Sequence, residues 1–274
     1  MIRFPNAKIN LGLNIVNRRT DGYHDIETVF YPITLEDSLE IVPAADGCVT
    51  SLTCHGRHVD CPMEKNLVTK AFRLLQQEFN LPDVEMHLIK HIPDGAGLGG
   101  GSSDASSALI LLNQIFQLGL SDDQLAKRAA RLGADCAFFV YNRPLMATGI
   151  GNIFSPVEVD LKGYFLFLVK PSVSVPTAAA YAQVHPQPSG TPIPSILAQP
   201  VAEWKNILKN DFEPSVFAQY PILDQIKAEI YRQGALYASM SGSGSSMFGI
   251  FDNDSLAPRL KSIYPEYDSY FIAL

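Results

Sequence analysis

Pro93-Asp94-Gly95-Ala96-Gly97-Leu98-Gly99-Gly100-Gly101-Ser102-Ser103 lies between an alternating apolar run and a long apolar helix pattern. Upstream, Val84–His91 sets Val84, Met86 and Leu88 against Glu85, His87 and Ile89, the period of a half-buried strand. Downstream, about Ser103–Gln117 carries Ala105, Ala108, Leu109, Leu111, Leu112, Ile115 and Phe116, which predicts a helix buried on most sides. Five glycines at a strand-to-helix junction have a physical use. Lacking Cβ, they let the backbone take φ > 0 and turn successive N–H groups inward as a nest for an anion. The helix tip adds unpaired N–H groups and a positive dipole end, worth about 0.3 to 2 kcal/mol to a nearby anion, and Ser102 and Ser103 add hydroxyls. Phosphate binding without basic residues follows. Gly95, Gly97 and Gly100 satisfy G-x-G-x-x-G, but Leu111–Leu120 lacks the acidic residue a dinucleotide fold requires, and no Gly-Lys pair exists for a Walker A loop. A flexible Gly/Ser turn is the plain alternative.

Working outward, Ala7–Val16, Thr28–Thr34 and Ser38–Val42 read as strands broken at Asn17–Gly22 and Ala44–Gly47. Lys65–Phe79 has helical apolar spacing, and Asn80 supplies its stop. Ser121 is an N-cap for a third helix with Asp122 and Asp123 in its first turn and Gly133 as its C′ residue, so Asp135 is expected just beyond a helix end. Ala137–Tyr141, Leu145–Thr148 and Tyr164–Lys170 then read as strands, with a domain boundary near Val157–Gly163 that divides the chain into 1–157 and 158–274. His185–Pro200 is proline-rich and reads as an extended loop outside the core. Helices are expected over Pro221–Gln233 and Asp254–Ile263, and strands over Ala235–Ser239 and Ser246–Phe251. Between those last strands, Ser241-Gly242-Ser243-Gly244-Ser245-Ser246 is longer than the roughly two residues a tight hairpin needs. It can close over a nucleotide or serve as a loose hairpin loop.

With 21 Lys plus Arg against 28 Asp plus Glu, net charge −7 and no basic run, the 274-residue chain is a poor nucleic-acid binder, so an anionic ligand must be held locally. The first ten residues contain no signal-like apolar run and no later stretch approaches about 18 apolar residues, which predicts a cytosolic protein without a membrane span. Cys48, Cys54, Cys61 and Cys136 are too unevenly placed for a disulfide framework and are expected to be free thiols. Cys54, His55, His58 and Cys61 lack a paired ligand half, so no metal site is assigned there.

Three segments, Pro5-Asn6-Ala7-Lys8-Ile9-Asn10-Leu11, Pro93–Ser103 and Met240-Ser241-Gly242-Ser243-Gly244, resemble in order and spacing the three motifs of the GHMP small-molecule kinases. Arg19-Thr20-Asp21-Gly22-Tyr23-His24 and Gly133-Ala134-Asp135 look like the branch of that family that phosphorylates a cytidylyl-linked methylerythritol alcohol in isoprenoid precursor synthesis. The resemblance implies an α+β protein of two domains. The first has a mixed sheet with helices, Lys8, the phosphate loop and Asp135; the second is smaller, ferredoxin-like, and carries the second glycine loop. It implies ATP as phosphoryl donor with Mg²⁺, a small-molecule substrate held between the domains, and a monomer or homodimer. Lys8 and Asp135 are then catalytic, Asn10 supports the substrate, Tyr23, His24 and Phe30 form part of a cytosine pocket, and Tyr181 takes the place of a stacking aromatic that is more usually Phe. Asp94 and Ala96 replace other small or apolar residues of related loops. Phosphoryl transfer has a loose transition state, so positioning and charge stabilisation carry the catalysis. Lys8 suits a phosphoryl oxygen, and Asp135 suits the attacking hydroxyl as an orienting acceptor. Asp104 reads as a helix first-turn acid or an outer Mg²⁺ ligand. A homoserine- or mevalonate-type kinase, or a regulator that binds nucleotide without turnover, are the other readings.

Overall fold

The computed structural model describes residues 1–58 and 61–274. Strands β1 (Ile2–Arg3), β2 (Asn6–Arg18), β3 (His24–Glu36), β4 (Ser38–Pro43) and β5 (Ser51–Gly56) precede helix α1 (Leu67–Phe79), strand β6 (Val84–Lys90) and helices α2 (Gly100–Ile115), α3 (Asp122–Ala129) and α4 (Cys136–Tyr141). Strands β7 (Leu145–Thr148), β8 (Ile153–Pro156) and β9 (Phe165–Lys170) follow. Helices α5 (Thr177–Ala182), α6 (Ile193–Leu197), α7 (Glu213–Gln219) and α8 (Pro221–Arg232) lead to strands β10 (Tyr237–Met240) and β11 (Met247–Phe251), helix α9 (Ala257–Ile263) and strand β12 (Asp268–Ala273). The chain forms two compact units. One holds Met1–Ala7, Leu35–Asp94 and Gly99–Arg143, and the other Lys8–Thr34, Gly95–Leu98 and Pro144–Leu274.

In the first unit the sheet runs β1-β4-β6-β5, with β4 antiparallel to β1 and β6 and β5 parallel to β6. Leu39, Ile41, Met86 and Leu88 point from its inner face and are buried, as are Phe72 and Leu75 of α1 and Leu109 and Leu112 of α2. Each such side chain contributes about 1.5 to 3 kcal/mol by leaving water. Asn66 caps α1 through Val68 N, and Asn80 ends it in the left-handed region at φ 53°. Ser121 and Gln124 form a reciprocal capping box on α3.

The second unit contains a four-stranded antiparallel sheet in the order β10-β11-β9-β12, covered by α8 and α9, which is ferredoxin-like topology. Leu166, Phe167, Leu168 and Val169 are all fully buried, as befits a strand with neighbours on both edges and apolar packing on both faces. A further sheet runs β2-β3-β7-β8. The α+β architecture expected from the sequence is the one observed. Among the described residues, no helix is long and apolar enough to cross a membrane.

Four local expectations need correction. Helix α2 starts at Gly100, three residues before Ser103, because Gly99 at φ 72° turns the chain directly into it. Helix α3 ends at Ala129 with Ala130 as C-cap, before Gly133. Ala137–Tyr141 is helical within α4: its apolar run is buried all round against α2 and α3, and a short continuous apolar run carries no period to separate helix from strand. Asp135 is therefore the residue that opens α4. Within His185–Pro200, α6 buries Ile193, Ile196 and Leu197 in the core, with Pro194 accommodated in its first turn.

Candidate active site

Loop residues Pro93–Ser103 pass through both units, with Gly95–Leu98 in the second. Gly95, Gly97 and Gly99 take φ of 58°, 74° and 72°, and between them Ala96 and Leu98 bury their side chains. Alternation of left-handed glycines with inward apolar anchors fixes the backbone without any charged side chain. The Gly97 carbonyl accepts from Lys8 Nζ at 3.0 Å and from the Ser241 hydroxyl at 2.9 Å. Ser246 N donates to the Ala96 carbonyl at 3.2 Å, so the two glycine loops are stitched together in this unit. A Cβ on Gly97 would lie 2.0 Å from the Ser241 carbonyl oxygen, whereas one on Gly101 meets only a Leu67 methyl at 3.8 Å. Gly97→Ala is accordingly expected to lose roughly 2 to 5 kcal/mol from overpacking and the left-handed φ. Gly101→Ala should change stability by less than about 1 kcal/mol. Urea denaturation of the pair checks this, and equal midpoints would remove the steric account.

Lys8 is 3% exposed, and its ammonium also donates to Asn10 Oδ1 at 2.7 Å and sits 4.9 Å over the Phe30 ring. The structure thus brings Lys8, Asn10, Phe30 and the phosphate-loop residues Gly95–Leu98 together in one unit. Phe30 is buried and packs beneath the cation. His24 stacks on Tyr181 with ring centroids 4.9 Å apart, and Tyr181 meets Phe212 edge-on at 4.8 Å. Tyr23 is exposed beside them in sequence. Burial, with Arg18 nearby, lowers the His24 pKa, so at neutral pH its ring keeps one donor and one acceptor.

In the first unit, Gly100, Gly101 and Ser102 form the first turn of α2, and no side chain caps their N–H groups. These amides fit an anion. The Ser106 hydroxyl donates to the Cys136 carbonyl at 2.5 Å, and a Cβ on Gly133 would stand 4.0 Å from the Ser102 hydroxyl. The turn carrying Asp135 is thereby fastened to the start of α2. Burial pushes the Cys136 thiol up to about 11, which keeps it protonated and inert as a nucleophile.

Asp104 lies in the second turn of α2, correcting its first-turn assignment. Its Oδ2 accepts from Lys90 at 2.7 Å, and Lys90 also binds Asp37, whose other oxygen accepts from His91 N at 2.6 Å and Ile92 N at 2.9 Å. This buried trio brackets the phosphate loop, with Lys90 before Pro93 and Asp104 after Ser103. Burial pushes Asp104 up to about 7; Lys90 pulls against that and the second carboxylate of Asp37 adds to it. Its Oδ1 is buried with no hydrogen-bond partner, so nothing there solvates the charged form. Burial alone would lower the Lys90 pKa, but the two carboxylates outweigh it and raise it. No group of three His, Cys, Asp or Glu among the described residues is placed to hold a metal ion.

Two residues the sequence reading passed over brace the second glycine loop. Asn210 donates to the carbonyls of Met240 and Gly242, both at 2.8 Å, and accepts from Phe212 N at 3.0 Å, which satisfies its amide completely. Glu213 accepts from Met240 N at 2.9 Å and the Ser239 hydroxyl at 3.1 Å, and pairs with Lys227 at 2.5 Å. Ser243 and Thr177 hydroxyls meet at 3.2 Å. The local sequence, Leu208-Lys209-Asn210-Asp211-Phe212-Glu213-Pro214, is mixed in polarity and marks neither residue.

Family models for the GHMP kinases N terminal domain and the GHMP kinases C terminal region match residues 66–143 and 193–268. The 4-diphosphocytidyl-2-C-methyl-D-erythritol kinase of Bacteroides thetaiotaomicron is 57% identical over 261 residues, covering 94% of this chain and 95% of that protein. The enzyme of the same name from Parabacteroides distasonis is 53% identical over 92% of each chain. A crystal structure of 4-(cytidine 5'-diphospho)-2C-methyl-D-erythritol kinase superposes with a TM-score of 0.84 at 30% identity, covering 100% of both chains. With both family models matched and relatives aligned over nearly its whole length, the chain belongs to the 4-diphosphocytidyl-2-C-methyl-D-erythritol kinase family of the GHMP kinases.

Proposed function

We propose that this protein transfers the γ-phosphoryl group of ATP to the 2-hydroxyl of 4-diphosphocytidyl-2-C-methyl-D-erythritol. The observation that carries the reading is the convergence of Lys8 and Ser241 on the Gly97 carbonyl, which ties an ammonium and the second glycine loop to the phosphate loop. The 2-hydroxyl oxygen forms the new bond to the γ-phosphorus, the bond from that phosphorus to the β–γ bridging oxygen breaks, and ADP leaves. Asp135 accepts and orients the hydroxyl proton, and Lys8 meets the charge on the moving phosphoryl oxygens. The triphosphate rests on the backbone of Pro93–Ser103. Mg²⁺ would travel with it and neutralise phosphate charge; with no cluster of protein ligands among the described residues, phosphates and water would form most of its coordination. Residues 1–157 supply the phosphate loop and both catalytic groups, and 158–274 the second glycine loop and Tyr181. Neutral His24, with Tyr23 and Tyr181, gives a cytosine ring an edge to pair with and faces to stack on.

Incubation with ATP, Mg²⁺ and the cytidylyl erythritol should yield ADP and a 2-phosphate, while homoserine and mevalonate under the same conditions should not. Phosphorylation of either of those alcohols in preference would overturn the substrate assignment. His24→Ala should raise KM for the cytidylyl substrate by roughly tenfold or more and leave KM for ATP within about threefold. Equal rises would mark His24 as a stability residue.

A further inference from the structure

Lys8 is held by a chain of buried hydrogen bonds that runs through Asn10 and Thr28 to the Gly12 carbonyl. Asn10 accepts the ammonium of Lys8 through Oδ1 at 2.7 Å, and its Nδ2 donates to Thr28 Oγ1 at 2.9 Å. Thr28 in turn donates to the Gly12 carbonyl at 2.5 Å. Lys8, Asn10 and Thr28 are 3%, 2% and 0% exposed, so water has no access to exchange for any of these partners.

The polarity of the chain is set from its far end. A carbonyl can only accept, so the single hydroxyl hydrogen of Thr28 is committed to Gly12. The face that Thr28 presents to Asn10 therefore carries lone pairs alone. Asn10 must offer its NH₂ there, which leaves its carbonyl oxygen as the group facing the ammonium. Were the amide turned over, its NH₂ would face the ammonium, donor against donor, and its carbonyl oxygen would face the lone pairs of Thr28, acceptor against acceptor. Gly12 stands at φ 68° within β2, a conformation that glycine takes without strain, and its carbonyl is the fixed point of the sequence of bonds.

We infer that Thr28 is a positioning residue: it fixes the orientation of the Asn10 amide and, through it, the place of the Lys8 ammonium at the phosphate loop. This rests on the assignment of Lys8 to the phosphoryl-transfer step. Thr28→Val keeps the shape and removes the acceptor and donor, whereas Thr28→Ser keeps the hydroxyl. Neither touches a substrate.

The test is a kinetic cycle on the full-length enzyme with wild type, Thr28→Val, Thr28→Ser, Lys8→Met and the Thr28→Val/Lys8→Met double variant. Thr28→Val should lower kcat by about 10- to 100-fold with KM for ATP changed by less than about threefold, and Thr28→Ser should restore kcat to within about threefold of wild type. In the Lys8→Met background the same Thr28→Val change should have no further effect on the residual rate, because its route of action is gone. An equal fold-loss in both backgrounds, or no difference between the Val and Ser variants, would overturn the inference while leaving Lys8 in its role. Near-normal turnover of Lys8→Met would instead remove the assignment on which it rests. Should Thr28→Val not accumulate folded, Thr28→Cys, with similar volume and a weaker hydrogen-bonding atom, takes its place in the same cycle with an intermediate loss expected.

Discussion

Lys8→Met and Asp135→Asn should each lower kcat by roughly 10² to 10⁴ while the protein stays folded. Methionine preserves the length and volume of the lysine stem but removes the cation that Asn10 and Gly97 hold in place. Asn10 and Gly97 are neutral and each loses a hydrogen bond rather than a counter-charge, about 1 to 3 kcal/mol, so the larger loss falls on the transition state, where charge builds on the transferring group. Asp135 is half-buried at the start of α4 and makes no side-chain capping bond to that helix. Asparagine is isosteric there, keeps an acceptor, and loses the ability to take the hydroxyl proton. Single-turnover measurements at saturating ATP separate the chemical step from binding. If either variant turned over at a near-normal rate, its residue would have no catalytic part.

Lys90→Met should destabilise the protein by roughly 3 to 5 kcal/mol at pH 8, because it strands two buried carboxylates without their shared cation. The loss should shrink toward pH 5 as Asp104 takes up a proton. Asp104 has its own pH signature in the wild type. Its folded pKa is raised from 3.8 to about 7, so between those values the folded state holds a proton that the unfolded chain has released. Stability from this group is complete below the lower value and is lost as pH rises toward the upper one. Asp104→Asn removes that slope, and its stability relative to wild type should improve as pH is raised from 4 to 8. Urea denaturation at pH 5 and pH 8 reads both effects. A pH-independent loss of less than about 1 kcal/mol in Lys90→Met would mean that the trio carries no net charge coupling.

Local chemistry was legible in the sequence where a short-range rule governs it. Ser121 announced its capping box, Asn80 its helix stop, and the alternation of Val84–Lys90 its strand. Pro93–Ser103 read as a candidate phosphate loop because glycine and serine at a strand-to-helix junction have few other uses, and the Lys8 motif and the second glycine loop joined it through the family resemblance. Ala137–Tyr141 was misread because an apolar run of that length has no period, and only the packing of α2 and α3 around it selects helix. The trio escaped for a different reason. Lys90 is separated by 53 residues from Asp37, and nothing near either position marks it as half of a pair. Asn210 and Glu213 act on strand β10 and the loop after it from 26 to 32 residues away, and Thr28 reaches Asn10 across 18. Residues that touch the ligand leave a motif; residues that hold them leave only a buried polar atom that the fold must satisfy.

The Gly97 carbonyl, with a cation and a hydroxyl both bonded to it, belongs to a planar peptide whose N–H is that of Leu98 and points the opposite way. Electron density drawn toward the oxygen leaves that N–H more positive, by the same cooperativity that strengthens hydrogen-bonded chains by perhaps 10 to 30% per bond. On the proposed assignment Lys8 acts on an incoming anion twice, through space by its charge and through the backbone by sharpening a neutral amide. On that assignment a protein of net charge −7 draws a triphosphate to the bend through a buried lysine and the amide it polarises.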